Sequence, residues 1–488
     1  ANPSTVFFGD STTLLWETGG VSKCEASGAW SGSKQASCSP ACSETITPPS
    51  LGNYTYELKC TGLAGVVRSS ASIGVVPYVF TASADFQPPK GEPIQLSTDN
   101  DQLELLGATE VLDFMWVAAS NRGTIVKINT VTGEILGEYL SAPDGRGRNP
   151  SRTTVDNNGN VWAGNRDEVD GGKGSVVQIG LQENNQCQDR NGNDVIDTST
   201  GLGVIKSWTN AGGADTNGGV STAEDECIIK YVRTSGDRVR HVSVDNNNNV
   251  WAGGHENNNF DLLQGSDGAR LATFNVGCGD YGGLVDANGV VWSAGRRTGQ
   301  LLRYDTKKTI TTADDTWQCI SSPYTYGMGI DSSGNIWNAQ WEISTIRKFD
   351  PAGNLLGEFN AGFNGGNTGG ARGAVAVDLD DNVWVVNSLT DSITRLKNDG
   401  SFVATVLVGA HPTGVAVDKN GSIWVTNLSG DSISQIDPST NTVVQTVSLG
   451  AGAGPYNYSD MTGSTLTGAA LEGTWRTTVD SNKAGAQW

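Results

Sequence analysis

The sequence predicts an all-β chain: a seven-bladed β-propeller with a small β-sandwich in front of it. Three observations carry that expectation. A nine-residue pattern, clearest as Val417-Asp418-Lys419-Asn420-Gly421-Ser422-Ile423-Trp424-Val425, recurs along the chain. Its tryptophans, at 116, 162, 251, 292, 337, 384 and 424, stand 46, 89, 41, 45, 47 and 40 residues apart, the period of a propeller blade. Glycine numbers 64 and the hydrophobic fraction is 37%, a composition suited to short strands and many turns.

The pattern has a mechanical reading. An apolar strand ends in Asp, whose side chain accepts hydrogen bonds from the backbone two residues on. Gly or Asn then takes the left-handed position of a tight hairpin, and the next strand brings a Trp that fills space between sheets. Copies stand at Val155-Asp156 with Val161-Trp162, Val244-Asp245 with Val250-Trp251, and Val285-Asp286 with Val291-Trp292. Two more end in Trp337 and Trp384, and a degenerate one, Leu112-Asp113-Phe114-Met115-Trp116, leads the series. The interval of 89 is one blade plus an insertion of about a blade's length. An eighth blade hidden there is the rival reading, but the interval holds no copy of the pattern.

Residues 1–78 read as a separate unit of alternating short strands. The runs Thr12-Thr13-Leu14-Leu15-Trp16, Cys24-Glu25-Ala26-Ser27-Gly28-Ala29-Trp30-Ser31-Gly32 and Tyr54-Thr55-Tyr56-Glu57-Leu58-Lys59-Cys60-Thr61-Gly62 mark its strands. The segment resembles bacterial immunoglobulin-like modules, and that resemblance implies an inter-sheet Cys24–Cys60 bridge. Cys38 and Cys42 are left to pair locally. Residues 79–100, with Pro88, Pro89, Gly91 and Pro93, read as a linker. The propeller is expected over 101–463, opened by Leu103-Glu104-Leu105-Leu106. Its insertion, 181–230, is bracketed by Cys187 and Cys227, which should pair. Cys278 and Cys319, on neighbouring blades, form a fourth bridge. Beyond the last blade, Gly454-Pro455-Tyr456-Asn457-Tyr458-Ser459-Asp460 has the shape of a first strand without a Trp strand after it. It is expected to return to the Trp116 blade and close the ring, leaving no exposed edge. Residues 464–488 read as a β-prone tail.

Charge and cysteine usage narrow the function. A net charge of −20, from 52 acidic and 32 basic residues, argues against nucleic acid, which needs clustered Lys and Arg. No apolar run reaches the length of a membrane span. Eight cysteines without a C-x-x-C pair, and only three histidines, indicate four disulfides in an oxidising compartment. The opening Ala1-Asn2-Pro3 reads as the end left by signal cleavage, so the protein is expected to be secreted, extracellular or at the cell surface.

Two stretches offer chemistry. In Asp189-Arg190-Asn191-Gly192-Asn193-Asp194-Val195-Ile196-Asp197, oxygen side chains fall at relative positions 1, 3, 5 and 9. That is the spacing of a calcium loop, with the Val195 carbonyl at position 7. Position 12 is Thr200, so a last ligand must come from Glu224, Asp225 or Glu226 beside Cys227, and Asp225 is the one assigned. Calcium is the expected cofactor, ordering an insertion without a core of its own.

The second stretch is the ring mouth. The start of each first strand and the end of each second strand share one face, because a hairpin joins them. Aligned on the repeat Asp, the starts are Arg152, Arg240, His241, Tyr281, Tyr326, Arg372 and His411. The ends include Asn165, Arg166, His255, Glu256, Arg296, Arg297, Trp341, Glu342, Asn387 and Asn427. Arg152, Arg240, His241, Tyr281, Arg296, Tyr326, Trp341, Arg372 and His411 are the candidate ligand-binding set.

Repeats such as Thr413-Gly414-Val415-Ala416-Val417-Asp418 followed by Ile423-Trp424-Val425-Thr426-Asn427 are similar to those of virginiamycin B (streptogramin) lyase propellers, and more loosely to NHL-type propellers. The resemblance covers about 105–460 and implies seven blades. It also implies an alternative activity, a metal-dependent lyase or lactonase in which His241, His255 and Glu256 would act. The first expectation is a calcium-binding binding, adhesion or structural assembly protein without catalysis. Its partners would be an unknown extracellular ligand and further copies joined by strand exchange into an oligomer or filament.

Overall fold

The computed structural model describes residues 3–38, 41–62, 65–76, 95–96, 103–104, 113–166, 172–209, 218–310, 312–367, 373–458 and 460–463. The chain divides into two compact units, one reaching Gly107 and one running from Ala108 to Gly473. Among the described residues every regular element is a strand or a short 3-10 turn, and no helix is long and apolar enough to cross a membrane. The expected tail 464–488, and the expected linker apart from Gln95–Leu96, lie outside the described residues.

The first unit holds a five-stranded sheet and a two-stranded one, Thr12–Trp16 against Cys42–Ile46. Cys24–Cys60 forms, but not between sheets. Strands Val21–Gly28 and Gly52–Gly62 are neighbours in one sheet, with Cys24 directly opposite Cys60. Their Cα atoms are 4.1 Å apart, the spacing of a narrow antiparallel pair, so the bridge staples two strands already paired. Cys38–Cys42 also forms. Leu103–Glu104, expected to open the propeller, pairs instead with Gln95–Leu96.

The second unit is a β-propeller of successive antiparallel sheets. A three-stranded sheet starts at Phe114, and six four-stranded sheets follow, with first strands at Pro150–Val155, Val239–Val244, Gly282–Val285, Thr325–Ile330, Val375–Val377 and Pro412–Val417. Strands within each sheet pair in chain order.

The repeat Asp is the hinge of each hairpin. Asp418 Oδ1 accepts the N–H groups of Asn420 and Ser422, both at 2.9 Å, and Gly421 turns the chain at φ +80°. Its other oxygen accepts the Trp424 indole N–H at 2.8 Å. The same indole bond joins Trp162 to Asp156, Trp292 to Asp286, Trp337 to Asp331 and Trp384 to Asp378, at 2.8–3.3 Å. A cation on the third strand lies over the ring in several sheets: Arg303 over Trp292, Lys348 over Trp337, Arg395 over Trp384. Trp251 departs from the rule. Asp245 takes the Asn249 amide instead, the Trp251 indole N–H has no partner among the described residues, and its ring packs on Phe274 and Tyr304.

The first sheet is completed by the returning C-terminal segment. Trp116 donates its N–H to the Met461 carbonyl at 2.9 Å, Tyr456 donates to Ala118 at 3.1 Å, and Ala119 bridges Pro455. Asn457, fully buried, accepts the Ala118 N–H and donates to Thr153 Oγ1 of the next sheet.

The insertion sits inside the second sheet, between its third strand Lys173–Ile179 and its fourth, Ile228–Asp237. It contains 3-10 turns and one isolated bridge, Trp208 with Ala223, and no described sheet of its own. Cys187–Cys227 closes its neck. Cys278–Cys319 ties the segment entering the fourth sheet to that sheet's own outer strand, Thr316–Ser321, rather than joining neighbouring sheets.

Candidate functional site: an arginine and tyrosine cluster on the inner strands

Side chains alternate along a strand, so only every second residue of an inner strand faces the ring's centre. Arg152 and Arg240, from the first strands of the second and third sheets, meet there with Tyr281 and Tyr326, from the fourth and fifth. The Tyr281 and Tyr326 hydroxyls are 2.9 Å apart, and Tyr326 reaches the Tyr456 hydroxyl at 3.2 Å. Arg240 donates to the Tyr281 hydroxyl at 3.3 Å. Arg152 is fully buried, with its guanidinium over Tyr281 at 5.0 Å and Tyr458 at 4.6 Å. Toward solvent, Trp341 lies 4.5 Å from Tyr326, and exposed Arg296 covers Trp341 at 4.6 Å. Arg166 covers Tyr456 at 4.7 Å and is held by Asn149.

Two guanidinium nitrogens, Arg152 Nη2 and Arg240 Nε, are buried without a hydrogen-bond partner among the described residues. No described carboxylate forms an ion pair with Arg152, Arg166 or Arg240. Such crowding of cations shows in their acidity. Burial, and then the charge of Arg240, pull Arg166 down to about 10. Burial alone would raise the Tyr456 phenol, but Arg240 and Arg152 outweigh it and bring it down to about 7. Burial raises Tyr281, and raises Tyr326 and Tyr458 well above the ordinary range.

The remaining predicted residues go elsewhere. His241, next to Arg240, points the opposite way and is enclosed between sheets, with Nδ1 2.9 Å from Ser293 Oγ and Nε2 2.7 Å from Ser243 Oγ. Burial holds it neutral, its pKa lowered to about 3. His255 bonds Asp280 at 3.2 Å; burial and the neighbouring arginines lower it to about 3, while burial raises Asp280 to about 9. Glu256 is exposed and paired with Arg297 at 2.7 Å. His241, His255 and Glu256 are thus each committed to a different partner and do not converge, and no cluster of metal-binding His, Cys, Asp or Glu occurs among the described residues. His411 donates its backbone N–H to Asp391 and touches none of the cluster's rings in the described contacts. Arg372 lies outside the described residues. Asn165, Asn387 and Asn427 are buried pegs whose amides bond the third strand of their own sheet.

Tyr456 and Tyr458 were missed as site residues. The count that selects Arg152, four residues before Asp156, selects Tyr456 before Asp460. Asp280 was missed as well; it is fully buried at φ +96°, a conformation rare for a residue with a side chain.

In the insertion, the loop's side chains turn inward. Asp197 Oδ2 accepts both the Asn191 and Asn193 amides, at 2.9 and 3.2 Å, and Asp189 caps the N–H groups of Gly192 and Asp194. Val195 is exposed. Asp225 does not join them. Its oxygens are taken by Thr198, Ser199 and the Cys227 N–H. Glu226 is the acid that closes on the loop, accepting N–H groups of Arg190, Asn191 and Asp197.

No family model and no curated protein matches the chain. Among solved structures it is similar to a virginiamycin B lyase from Staphylococcus aureus, at 16% identity over 65% of this chain and 90% of that one, with a TM-score of 0.47. It is similar to a streptogramin B lyase at 21% identity over 45% and 72%, TM-score 0.39. A functionally unknown protein from Desulfotomaculum acetoxidans shares 13% identity over 69% and 95%, TM-score 0.48. The propeller assignment stands on the sheet order described above.

Proposed function

We propose that this is a secreted binding protein whose ligand seat is the arginine and tyrosine cluster of the propeller. The observation that carries the reading is the pair of buried guanidinium nitrogens without partners among the described residues, Arg152 Nη2 and Arg240 Nε, on side chains whose other nitrogens donate to Ser151 and Tyr281. A buried cation left unpaired costs stability unless something compensates it. Aromatic faces around it are the ordinary furniture of a ligand seat. Four disulfides fit an oxidising compartment. The commitment of His241 to two serines weighs against the lyase or lactonase alternative. The test is a thermal-shift screen of a chemically diverse small-molecule set against wild type and a Trp341→Ala, Arg240→Ala variant. The expected result is a group of compounds that stabilises wild type and leaves the variant unmoved. A screen in which no compound separates the two proteins refutes the binding reading.

Calcium is proposed as the structural cofactor of the insertion. Asn191 and Asn193 gather at Asp197 and fit it, since turning their amides would present two oxygens beside that carboxylate, where the ion would displace Lys206, 3.6 Å from Asp197 Oδ1. Chelation is expected to lower the melting temperature by about 5 °C, as loss of a ligand that binds only the folded state does. In Asp189→Asn, Asp197→Asn that drop should vanish. An equal drop in the variant would place the ion elsewhere, and no drop in wild type would remove calcium from this protein.

A further inference from the structure

We propose that the seat takes a ring-bearing carboxylic acid, an aromatic acid or an acidic sugar, with its carboxylate on Arg152 and Arg240 and its ring against Trp341 and the tyrosines. The proposal rests on the binding reading above and names its ligand class.

The number of unfilled donors favours a carboxylate. Arg152 Nη2 and Arg240 Nε are two N–H-bearing atoms on separate side chains, both near Tyr281, and a carboxylate offers two oxygens. Depth argues the same way. Arg152 lies at the buried end, Arg240 and Tyr456 are half-buried, Trp341 follows, and Arg296 is exposed. The charged group of a ligand would go in first, and a flat body would rest on Trp341 and Tyr326, whose centroids are 4.5 Å apart.

The cluster's own chemistry shows what it lacks. His255 stays neutral, and Asp280 keeps its proton until about pH 9, so neither changes the charge near neutrality. Tyr281, Tyr326 and Tyr458 are all held protonated. Among the described residues, Tyr456, lowered to about 7 against the pull of burial, is the group that can supply a negative charge beside Arg240 and Arg152. A bound carboxylate would take over that role and push the phenol back toward its protonated form. Binding is therefore tightest below pH 7 and weakens as pH rises through 7, because the phenolate then competes with the ligand.

Calorimetric titration of the full-length protein tests this, with 4-hydroxybenzoate and D-glucuronate as probes. The uncharged 4-hydroxybenzamide and methyl glucoside, and inorganic phosphate, serve as comparisons. At least one acid is expected to bind at pH 6, about tenfold more weakly at pH 8, and more weakly by about tenfold or more in Arg240→Ala. Arg240→Lys should recover part of the loss, and Tyr456→Phe should flatten the pH dependence while keeping the affinity at pH 6. Near-UV circular dichroism establishes that each variant is folded. The proposal is overturned if neither acid binds, if an uncharged analogue or phosphate binds as tightly as the acids, or if Arg240→Ala leaves acid binding unchanged. Each of those results leaves the binding reading standing wherever the wider screen still finds a stabilising compound.

Discussion

Trp424→Ala is expected to cost about 4 kcal/mol, within the range for emptying a fully buried Trp site. Trp424 is wholly enclosed, in a cluster with Met115, Val117, Ile433 and Met461, so it packs the last sheet against both partners in the ring's closure. The milder Trp424→Phe keeps most of that volume but removes the indole N–H and leaves Asp418 Oδ2 short of its 2.8 Å donor. It should cost about 1–3 kcal/mol. Trp251→Phe supplies the contrast. Its indole N–H has no partner among the described residues, so this change should cost well under 1 kcal/mol beyond the small loss of volume. Urea melts of the three variants give the order. Equal costs for the two Phe variants would show that the indole–carboxylate bond does not hold the repeat in place.

Stopping the chain after Gly454 is expected to abolish cooperative melting of the propeller unit. The lost segment contributes the Tyr456 and Met461 backbone bonds to the first sheet, the two Asn457 amide bonds, and the bond from Thr462 Oγ1 to the Val417 carbonyl. It also removes buried Tyr458 and Met461. Each buried side chain stabilises by about 1.5–3 kcal/mol and each net hydrogen bond by about 1 kcal/mol. Their sum is comparable with the whole stability of an ordinary domain, about 5–15 kcal/mol. A stop after Gly463 keeps all of these contacts and is the comparison. If the two truncations melt alike by differential scanning calorimetry, the ring does not depend on this closure.

The blade period was legible because every copy except the degenerate one at Asp113 performs the same local task. Asp418 and Asp156 accept the same two backbone N–H groups, and Gly421 and Gly159 turn the chain at the same sign of φ. The bounds of the insertion, 181–230, were legible from the cysteines that bracket it, but its position between the third and fourth strands of one sheet was not. Nothing in residues 181–230 states that the fourth strand waits on its far side, because that strand, Ile228–Asp237, carries no repeat signal. The immunoglobulin-like resemblance implies a Cys24–Cys60 bridge between sheets, and the cysteine pairing itself says nothing about which strands are neighbours. In the site, counting back from the repeat Asp found Arg152, Arg240, Tyr281 and Tyr326. Counting placed His241 beside them, whereas strand alternation sends adjacent residues to opposite faces. Sequence alone does not separate Asp225 from Glu226 beside Cys227; in the structure Glu226 accepts the loop's N–H groups and Asp225 accepts the Cys227 N–H.

The returning segment runs antiparallel to Phe114–Ala119, with Pro455 beside Ala119 and Met461 beside Trp116. The entering and leaving ends of the propeller therefore exit side by side. A pull that draws them apart meets the bonds one after another, beginning at the Trp116 to Met461 bond, rather than sharing the force among them. Opened from its seam, the ring would carry Tyr456 and Tyr458 away from Arg152. Stretch would then act on the arginine and tyrosine cluster through the same seven residues.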